Sequence, residues 1–197
     1  MIELEILVEV YDDYAVVESI LAGFDFVETR KVIDTYFFDP QRVNLLPNSD
    51  GVLLECLRLR DKEGDFTLTY KNDVYDGKTW LYSNENEIHV SDKSQTSLIF
   101  EKIGLKEMLE INNERKYYRY EDYEIVLEKV ANLGTFLEVE LKRKISESEA
   151  KLEKQRIRDF IHTLNIQVSE ELNEGKPQLF LKRHKLLEKY IVHKEAK

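Results

Sequence analysis

Two short stretches of the chain carry pairs of glutamates two residues apart. In residues 133–141, Glu138 and Glu140 alternate with aliphatic residues, and near the start of the chain Glu3 and Glu5 do the same. Successive side chains of a β-strand point to opposite faces, so each pair lies on one face with its members about 7 Å apart. We predict that the two strands face each other and that their four carboxylates bind a divalent metal.

Other predicted strands carry charged residues on single faces in the same manner. Leucines alternate with Arg58 and Arg60, which places both arginines on one face. The charged positions of this kind outside the first two stretches are Arg58, Arg60, Lys71, Arg115, Glu85 and Glu87.

This alternation has two structural interpretations. An antiparallel sheet with one face in water carries its charged residues on that face. Alternatively, about eight strands are enough to close a barrel without exposed edges, with amphipathic helices over an apolar exterior. In the first case the charged faces are solvated, and in the second case they line an interior.

An interior lined by these residues favours bound cations. Two carboxylates about 6 Å apart repel each other by roughly 3 kcal/mol at an effective dielectric constant near 20. Several converging carboxylates therefore become protonated unless cations compensate them. The arginines and the lysine compensate in part, and Mg²⁺ or Mn²⁺, which prefer oxygen ligands, would supply the rest. Acidic and basic clusters together suit a polyanion bound with metal, of which a triphosphate is the common cellular example.

Composition limits the class of protein. The chain has 197 residues, of which 35% are charged and 42% hydrophobic, and this predicts one soluble globular domain. The net charge of −10 disfavours a general nucleic-acid-binding surface. Cys56 is the only cysteine, which excludes an internal disulfide and fits a cytoplasmic location. We find neither a signal-peptide pattern nor an apolar run near ~18 residues, so we expect no membrane association. The sequence leaves open whether the protein is a monomer or a homodimer.

Hydrophobic periodicity and turn residues divide the chain into about eight strands, mostly linked as hairpins, and three or four helices. Extended segments are predicted at residues 2–10, 24–29, 32–38, 52–60, 66–71, 80–90, 113–120, 123–130 and 133–141, with a polar loop at 72–79 and a connection at 105–111 that leads into the strand 113–120. Helices are predicted at residues 12–21 and 94–103 and in a C-terminal helical segment from about 146 to 195, whose last helix covers 178–190. Ser146 with Glu149 forms a capping-box pattern at the start of that segment. We therefore predict an α+β protein dominated by strands, with an eight-stranded antiparallel closed barrel and flanking helices, over residues 1–197.

The charged motifs and their order resemble the CYTH superfamily, which groups class IV adenylate cyclases with thiamine and inorganic triphosphatases. The resemblance covers most of residues 1–165, and it rests on the order and spacing of motifs that are each short. They are residues 1–5 (MIELE), 34–37 (DTYF), 57–60 (LRLR) and 68–71 (LTYK), the pair Glu85 and Glu87, Arg115 with Tyr118, and residues 125–130 (IVLEKV) and 133–140 (LGTFLEVE). Residues 34–37 and 133–136 are most similar to the class IV cyclase branch.

The resemblance implies a tunnel that processes ATP, thiamine triphosphate or tripolyphosphate with Mg²⁺ or Mn²⁺. The metal ligands that it implies are Glu3, Glu5, Glu138 and Glu140, with Glu85 and Glu87 as further acidic wall residues that could hold a second metal. The phosphate contacts that it implies are Arg58, Arg60, Lys71 and Arg115. The residues assigned to catalysis on this basis are Glu3, Glu5, Arg58 and Lys71.

Three positions depart from the family's motifs. Leu7 stands where the opening Glu-x-Glu-x-Lys motif has its lysine, and Asn113 stands where a Lys-x-Arg pattern begins. Glu128 replaces an aspartate and keeps its charge. Each lost charge-assisted contact to a triphosphate removes ~1.5–3 kcal/mol of binding.

Two functional hypotheses follow. In the first, the protein is an enzyme in which water attacks the terminal phosphorus, or the ribose 3′-hydroxyl attacks the α-phosphorus and releases pyrophosphate. In the second, it is a nucleotide- or polyphosphate-binding module with weak or no turnover, because Leu7 and Asn113 lack the charge of the lysines they replace. A third and weaker alternative is a tunnel fold kept only as an interaction scaffold.

Overall fold

The computed structural model describes residues 2–191, which contain eight strands and four α-helices. The strands are β1 (Ile2–Glu9), β2 (Asp25–Phe38), β3 (Glu55–Lys62), β4 (Asp65–Asp76), β5 (Thr79–Val90), β6 (Lys106–Tyr120), β7 (Tyr123–Val130) and β8 (Gly134–Leu141). The helices are α1 (Tyr14–Leu21), α2 (Lys93–Lys102), α3 (Ala150–Thr163) and α4 (Lys176–Arg183), with 3₁₀ turns at Glu147–Glu149 and Leu187–Lys189. Within residues 2–191, every helix is too short or too polar to cross a membrane.

The eight strands form a closed barrel in the order β1-β5-β4-β3-β2-β6-β7-β8. Pairing is antiparallel between β2 and β3, β3 and β4, β6 and β7, and β7 and β8. The first strand, β1, pairs with the last, β8, and this pairing helps to close the sheet on itself. Closure removes the edges that an open sheet would expose. The predicted eight-stranded antiparallel barrel with flanking helices is confirmed.

The described chain divides into two compact units. Unit 1 comprises residues 2–31, 74–84 and 113–173, and unit 2 comprises residues 32–73, 85–112 and 174–191. The single domain over residues 1–197 stays a prediction. The predicted helical segment from 146 to 195 extends beyond residue 191, and that last part lies outside the described residues.

Unit 1 packs the apolar face of β1 against α3. Leu4, Ile6 and Val8 alternate with other residues of β1, and they are buried in one cluster with Ile157 and Ile161 of α3. A period of two on the strand and a helical period on α3 bring these side chains to the same interface. The opposite face of β1 therefore carries its first two glutamates.

Residues 167–172, which follow α3, extend the sheet of unit 1 beside β1. The backbone N–H of Ser169 donates to the carbonyl of Glu9 at 2.8 Å, and the side-chain hydroxyl of Ser169 accepts from the N–H of Glu9 at 2.9 Å. Lys154 of α3 is 1% exposed, and its Nζ lies 2.6 Å from Glu171 Oε1. A buried ion pair therefore holds this segment against α3.

Unit 2 has an apolar cluster of its own, and the end of the described chain is hydrogen-bonded to β6. Phe37, Leu59 and Phe100 are buried together, and the rings of Phe37 and Phe100 lie 5.0 Å apart. The Tyr190 hydroxyl donates to the carbonyl of Met108 at 3.1 Å. This hydrogen bond fixes the C-terminal part of unit 2 to β6.

Several predicted element boundaries are wrong, mainly because the strands are longer than the hydrophobic pattern indicates. β2 and β6 are continuous where the sequence suggested interruptions. Residues 72–79, predicted as a loop, form the end of β4 and the start of β5 around a turn at Gly77, which has a φ of 61°. The polar residues of β4 fit a strand because most of its side chains remain partly exposed. The last α-helix ends at Arg183, and Lys185 follows with a positive φ of 58° that interrupts the helix.

Candidate functional site

The glutamate pairs of β1 and β8 lie side by side, since the two strands are hydrogen-bonded neighbours. In the antiparallel register Glu5 is directly opposite Glu140, and Leu7 is directly opposite Glu138. Side chains in such positions have Cβ atoms about 4.5–5.5 Å apart. The prediction that these strands face each other is therefore corrected, because the acidic residues meet as cross-strand neighbours within one sheet.

Glu140 lies at the centre of a carboxylate cluster on the charged face of unit 1. Its neighbours on the two flanking strands are Glu5 of β1 and Glu124 of β7. Burial, and then the negative charges of Glu3 and Glu5, raise the pKa of Glu140 from 4.5 to about 8. Lys142 Nζ lies 3.0 Å from Glu140 Oε1 and opposes this shift. The cluster still carries enough negative charge to take up a proton near neutral pH, and it would attract a cation for the same reason.

Glu138, which is also a predicted metal ligand, forms an ion pair with Arg115. Arg115 Nη2 donates to Glu138 Oε1 at 2.7 Å, and Arg115 Nε lies 3.2 Å from Glu128 Oε2. All three residues are buried, and Glu128 is 0% exposed. Removing one partner from a buried ion pair typically costs ~3–5 kcal/mol, so this group of charges depends on complete pairing. A predicted phosphate contact and a predicted metal ligand are thus partners of each other in this structure.

Leu7 and Asn113, which stand where the resemblance implies lysines, are both buried in unit 1. Leu7 is 3% exposed and Asn113 is 5% exposed. Asn113 precedes Arg115 by two residues on β6, so the two side chains share a face. Neither polar atom of the Asn113 amide has a hydrogen-bond partner among residues 2–191. A buried unsatisfied amide costs about 1–3 kcal/mol, so its presence calls for an explanation.

Arg60 of unit 2 is clamped by a carboxylate on the adjacent strand. Asp34 of β2 is directly opposite Arg60 of β3 in the register. Arg60 donates from Nε to Asp34 Oδ1 at 2.7 Å and from Nη2 to Asp34 Oδ2 at 2.8 Å. Asp34 is 1% exposed, so this bidentate pair is well shielded from water. It fixes the orientation of the guanidinium.

Arg58 is also buried, at 8% exposure, but its contacts are longer. Its Nη2 donates to Thr69 Oγ1 at 3.2 Å and lies 3.5 Å from Glu85 and 3.6 Å from Glu87. Its Nε lies 4.0 Å from Asp34 Oδ1 and has no hydrogen-bond partner in the described part of the chain. Arg58 therefore keeps donor capacity for a further acceptor.

Lys71, Glu85 and Glu87 complete the predicted charged set of unit 2. Lys71 is half-buried and follows Thr69 by two residues on β4, so the two side chains lie on the same face of the strand. Glu85 is half-buried and Glu87 is exposed. The Thr69 hydroxyl donates to Glu87 Oε2 at 2.7 Å, and both glutamates lie within ion-pair distance of Arg58. A second metal at these glutamates would have to compete with these contacts.

Three residues that make these contacts were given no role in the site from the sequence, although two of them lie in motifs 34–37 and 68–71, and a fourth was noted only as a departure from the family motif. The three are Asp34, Thr69 and Lys142, and the fourth is Glu128. Lys142 continues the alternation of the two glutamates on β8 and could have been found from that pattern. Asp34 could be found only once the pairing of β2 with β3 was known.

The donor set of unit 1 fits a hard divalent cation. Glu3, Glu5 and Glu140 offer carboxylate oxygens, which Mg²⁺ and Mn²⁺ prefer. The raised pKa of Glu140 reflects negative charge that such a cation would neutralise. Within the described range, no three Asp, Glu, His or Cys side chains already converge as a metal site. Like charges repel each other, and a bound cation is what would draw these carboxylates closer together.

The closed barrel and its acidic and basic strand faces agree with the family that the motifs resemble. The family model described as the CYTH domain matches residues 1–175. The chain therefore belongs to the CYTH domain family.

Three similar proteins illustrate the range of this fold. A protein of Methanocaldococcus jannaschii named "Putative adenylate cyclase" is 35% identical over 168 residues, which cover 84% of this chain and 91% of that protein. A Pyrococcus horikoshii OT3 protein has a TM-score of 0.73 at 22% identity, covering 91% of this chain and 99% of the other. A Hippeastrum protein, described as a putative adenylyl cyclase that reveals a dominant triphosphatase activity, has a TM-score of 0.65 at 15% identity and covers 93% and 96%. At these identities the two solved structures show the same fold.

Proposed function

We propose that this protein binds a triphosphate together with Mg²⁺ or Mn²⁺ and cleaves one of its phosphoanhydride bonds. Membership of the CYTH domain family supports this proposal, as do the cyclase name of the M. jannaschii relative and the triphosphatase activity in the description of the Hippeastrum protein. The candidate substrates are ATP, thiamine triphosphate and tripolyphosphate. Hydrolysis would release orthophosphate, and cyclisation of ATP would give cyclic AMP and pyrophosphate.

The observation that best supports the proposal is the incomplete hydrogen bonding of the Arg58 guanidinium. A buried guanidinium normally fills its hydrogen-bonding capacity, but Arg58 has long contacts and an Nε without a hydrogen-bond partner among the described residues. A phosphate oxygen would satisfy these donors with short, charge-assisted hydrogen bonds. Arg58 is therefore the principal phosphate contact of unit 2.

Arg60 and Lys71 support this role in different ways. Arg60 is fixed by its bidentate pair with Asp34, so it contributes positive charge at a set position. Lys71 is half-buried on a flexible side chain and can follow a phosphate oxygen. The three basic residues would stabilise the charge that develops on the phosphate oxygens, which is the main requirement of phosphoryl transfer.

The carboxylates of unit 1 would hold the divalent cation. Glu3, Glu5 and Glu140 supply the oxygen ligands, and Glu140 must lose its proton to do so. The bound cation would neutralise phosphate charge and orient the oxygens of the substrate. The acidic wall residues Glu85 and Glu87 of unit 2 stay proposed ligands of a second metal.

Arg115 and Glu138 can take part by exchanging partners. In this structure they bind each other, and Glu128 also lies beside Arg115. A phosphate that takes a hydrogen bond from Arg115 would release Glu138 to join the metal ligands. Glu128 would keep the arginine oriented during this exchange, which makes it a positioning residue.

A binding module with little turnover is the second candidate function. It is favoured by the burial of Leu7 and Asn113, neither of which can place a positive charge against a phosphate. In this case the same residues bind the triphosphate and the metal, but the transition state gains too little stabilisation for turnover.

Product analysis separates these functions. The protein is incubated with ATP, thiamine triphosphate or tripolyphosphate and Mg²⁺ or Mn²⁺, and the products are resolved by ion-exchange chromatography. Cyclic AMP with pyrophosphate identifies a cyclase, and orthophosphate identifies a triphosphatase. Metal-dependent binding without products establishes the binding module, and absence of both products and binding would refute the proposal.

Two arginine variants test the role of Arg58 directly. Arg58→Ala should weaken triphosphate binding at least about 10-fold, since a charge-assisted hydrogen bond contributes ~1.5–3 kcal/mol. Arg42→Ala is the matched control, because Arg42 is an arginine of the same unit whose side chain is 77% exposed. Equal affinities of the two variants would contradict the assignment of Arg58.

A further inference from the structure

The ammonium group of Lys142 lies among the carboxylates of unit 1. Lys142 directly follows β8, and its backbone N–H donates to the carbonyl of Asp122 at 2.8 Å, which fixes the point where the side chain starts. Its Nζ lies 3.0 Å from Glu140 Oε1 and 3.7 Å from Glu124 Oε1. Glu140 of β8 and Glu124 of β7 are directly opposite each other, so the ammonium bridges two adjacent strands.

This ammonium and a divalent cation would use the same carboxylate. Lys142 donates to Glu140 Oε1, and Glu140 is one of the three carboxylates that we propose as metal ligands. A metal ion bound to Glu140 would therefore lie close to the ammonium, and like charges repel strongly at a site that is only partly exposed to water. The side chain of Glu140 is 16% exposed, so water screens this repulsion only in part.

We propose that Lys142 is an internal competitor of the divalent cation: its ammonium neutralises Glu140 in the free protein and leaves this carboxylate when Mg²⁺ or Mn²⁺ binds. This inference rests on the proposed function, because it concerns the metal affinity of the same site. Lys142 thereby sets the metal concentration at which the site fills.

The exposure of the three side chains gives the ammonium a place to go. The side chain of Lys142 is 49% exposed, and a lysine carries its charge on a flexible four-carbon chain. Glu124 is more exposed than Glu140, at 26% against 16%. The ammonium can therefore stay with Glu124 or turn to water when it leaves Glu140.

Calorimetric titration with Mg²⁺, without a triphosphate, tests this competition. The titration is done at pH 9, above the pKa of about 8 of Glu140, so that this carboxyl is ionised before the metal is added. Lys142→Met removes the charge and keeps the length of the side chain, and it should bind Mg²⁺ at least about 10-fold more tightly than the wild type. Lys142→Arg keeps the charge and should bind Mg²⁺ no more tightly than the wild type.

Lys151→Met is the matched control for the loss of one positive charge. Lys151 is a lysine of the same unit that pairs with Asp76, and its side chain is 69% exposed. Its replacement should leave the affinity for Mg²⁺ unchanged. An equal gain in affinity in Lys151→Met and Lys142→Met would show a general effect of charge and would overturn the inference.

Nuclear magnetic resonance of the wild type, with its lysines labelled with ¹³C, follows the ammonium directly. Mg²⁺ should shift the Cε signal of Lys142, which is assigned by its absence from Lys142→Arg, and should leave the signal of Lys151 in place. This measurement does not depend on the folding of a variant with lost charge. A Lys142 signal that does not move while Mg²⁺ binds would overturn the inference.

The outcomes separate the inference from the proposed function. Equal or weaker Mg²⁺ binding by Lys142→Met overturns the inference alone, because the wild type still has a metal site. Absence of Mg²⁺ binding in the wild type and in Lys142→Met refutes the metal site of the proposed function, and the inference with it. Binding by Lys142→Met but not by the wild type supports both.

Discussion

Replacing Glu140 with glutamine tests the electrostatics of the carboxylate cluster. The folded-state pKa of Glu140 is about 8, against an ordinary value of 4.5, because of burial and the charges of Glu3 and Glu5. Between these two pH values the folded protein binds more protons than the unfolded chain. The contribution of Glu140 is therefore fully present below pH 4.5 and is lost as the pH rises through about 8.

The size of the effect follows from the shift. Each pKa unit corresponds to ~1.4 kcal/mol of differential stability. Allowing for the partial exposure of the site and its shared interaction with Lys142, we expect the wild type to lose about 3 kcal/mol between pH 5 and pH 8 from this group. Glu140→Gln cannot ionise and should not show this loss.

The assay is urea denaturation followed by circular dichroism at pH 5, 6, 7, 8 and 9. Glu101→Gln serves as the control, since Glu101 is an exposed glutamate whose side chain is 73% exposed. At pH 8, Mn²⁺ should restore stability to the wild type and to the control but not to Glu140→Gln. Parallel pH profiles for the wild type and Glu140→Gln would refute the assignment of a charge-dense cluster around Glu140.

Three further substitutions test the buried ion pairs and the effect of the missing lysine at residue 7. Arg115→Ala should lower the free energy of unfolding by ~3–5 kcal/mol, measured by urea denaturation, because it removes the cation that lies beside the buried carboxylates Glu128 and Glu138; a loss below ~1 kcal/mol would contradict the ion-pair network. Leu7→Lys places an ammonium opposite Glu138 and should raise the rate of product formation about 10-fold if a missing cation limits turnover; an unchanged rate would exclude that explanation. Lys154→Met removes the buried lysine partner of Glu171, which keeps its contact with Arg158, and should increase hydrogen exchange in residues 167–172; unchanged protection there would show that the Lys154–Glu171 ion pair does not hold this segment.

Most of the fold could be predicted from the sequence because it depends on local patterns. Alternating residues predicted the strands, and the Ser146–Glu149 capping box is present before α3, with the Ser146 N–H donating to Glu149 Oε2 at 2.8 Å. The continuous β2 and β6 were missed because the hydrophobic alternation is interrupted within them. Local periodicity does not report hydrogen bonds to a neighbouring strand, and these bonds keep a polar stretch extended.

The candidate site could be predicted by residue type but not by pairing. The alternation of Glu138 with Glu140 suggested one function for both, yet Glu138 pairs with Arg115 while Glu140 lies among Glu3 and Glu5. That division depends on the registers of β6, β7 and β8 together. The raised pKa of Glu140 depends on burial, and burial cannot be read from the pattern of charged residues in the sequence. Likewise, the unsatisfied amide of Asn113 is a property of its surroundings and not of its sequence position.

The proposed function requires that a triphosphate and a divalent cation bind together. The most direct measurement is calorimetric titration of ATP and tripolyphosphate into the protein, with and without Mn²⁺. We expect at least one of them to bind, with an affinity at least about 10-fold higher when Mn²⁺ is present, since the cation neutralises both carboxylate and phosphate charge. Failure of both to bind, or binding with equal affinity in the presence and absence of metal, would contradict it.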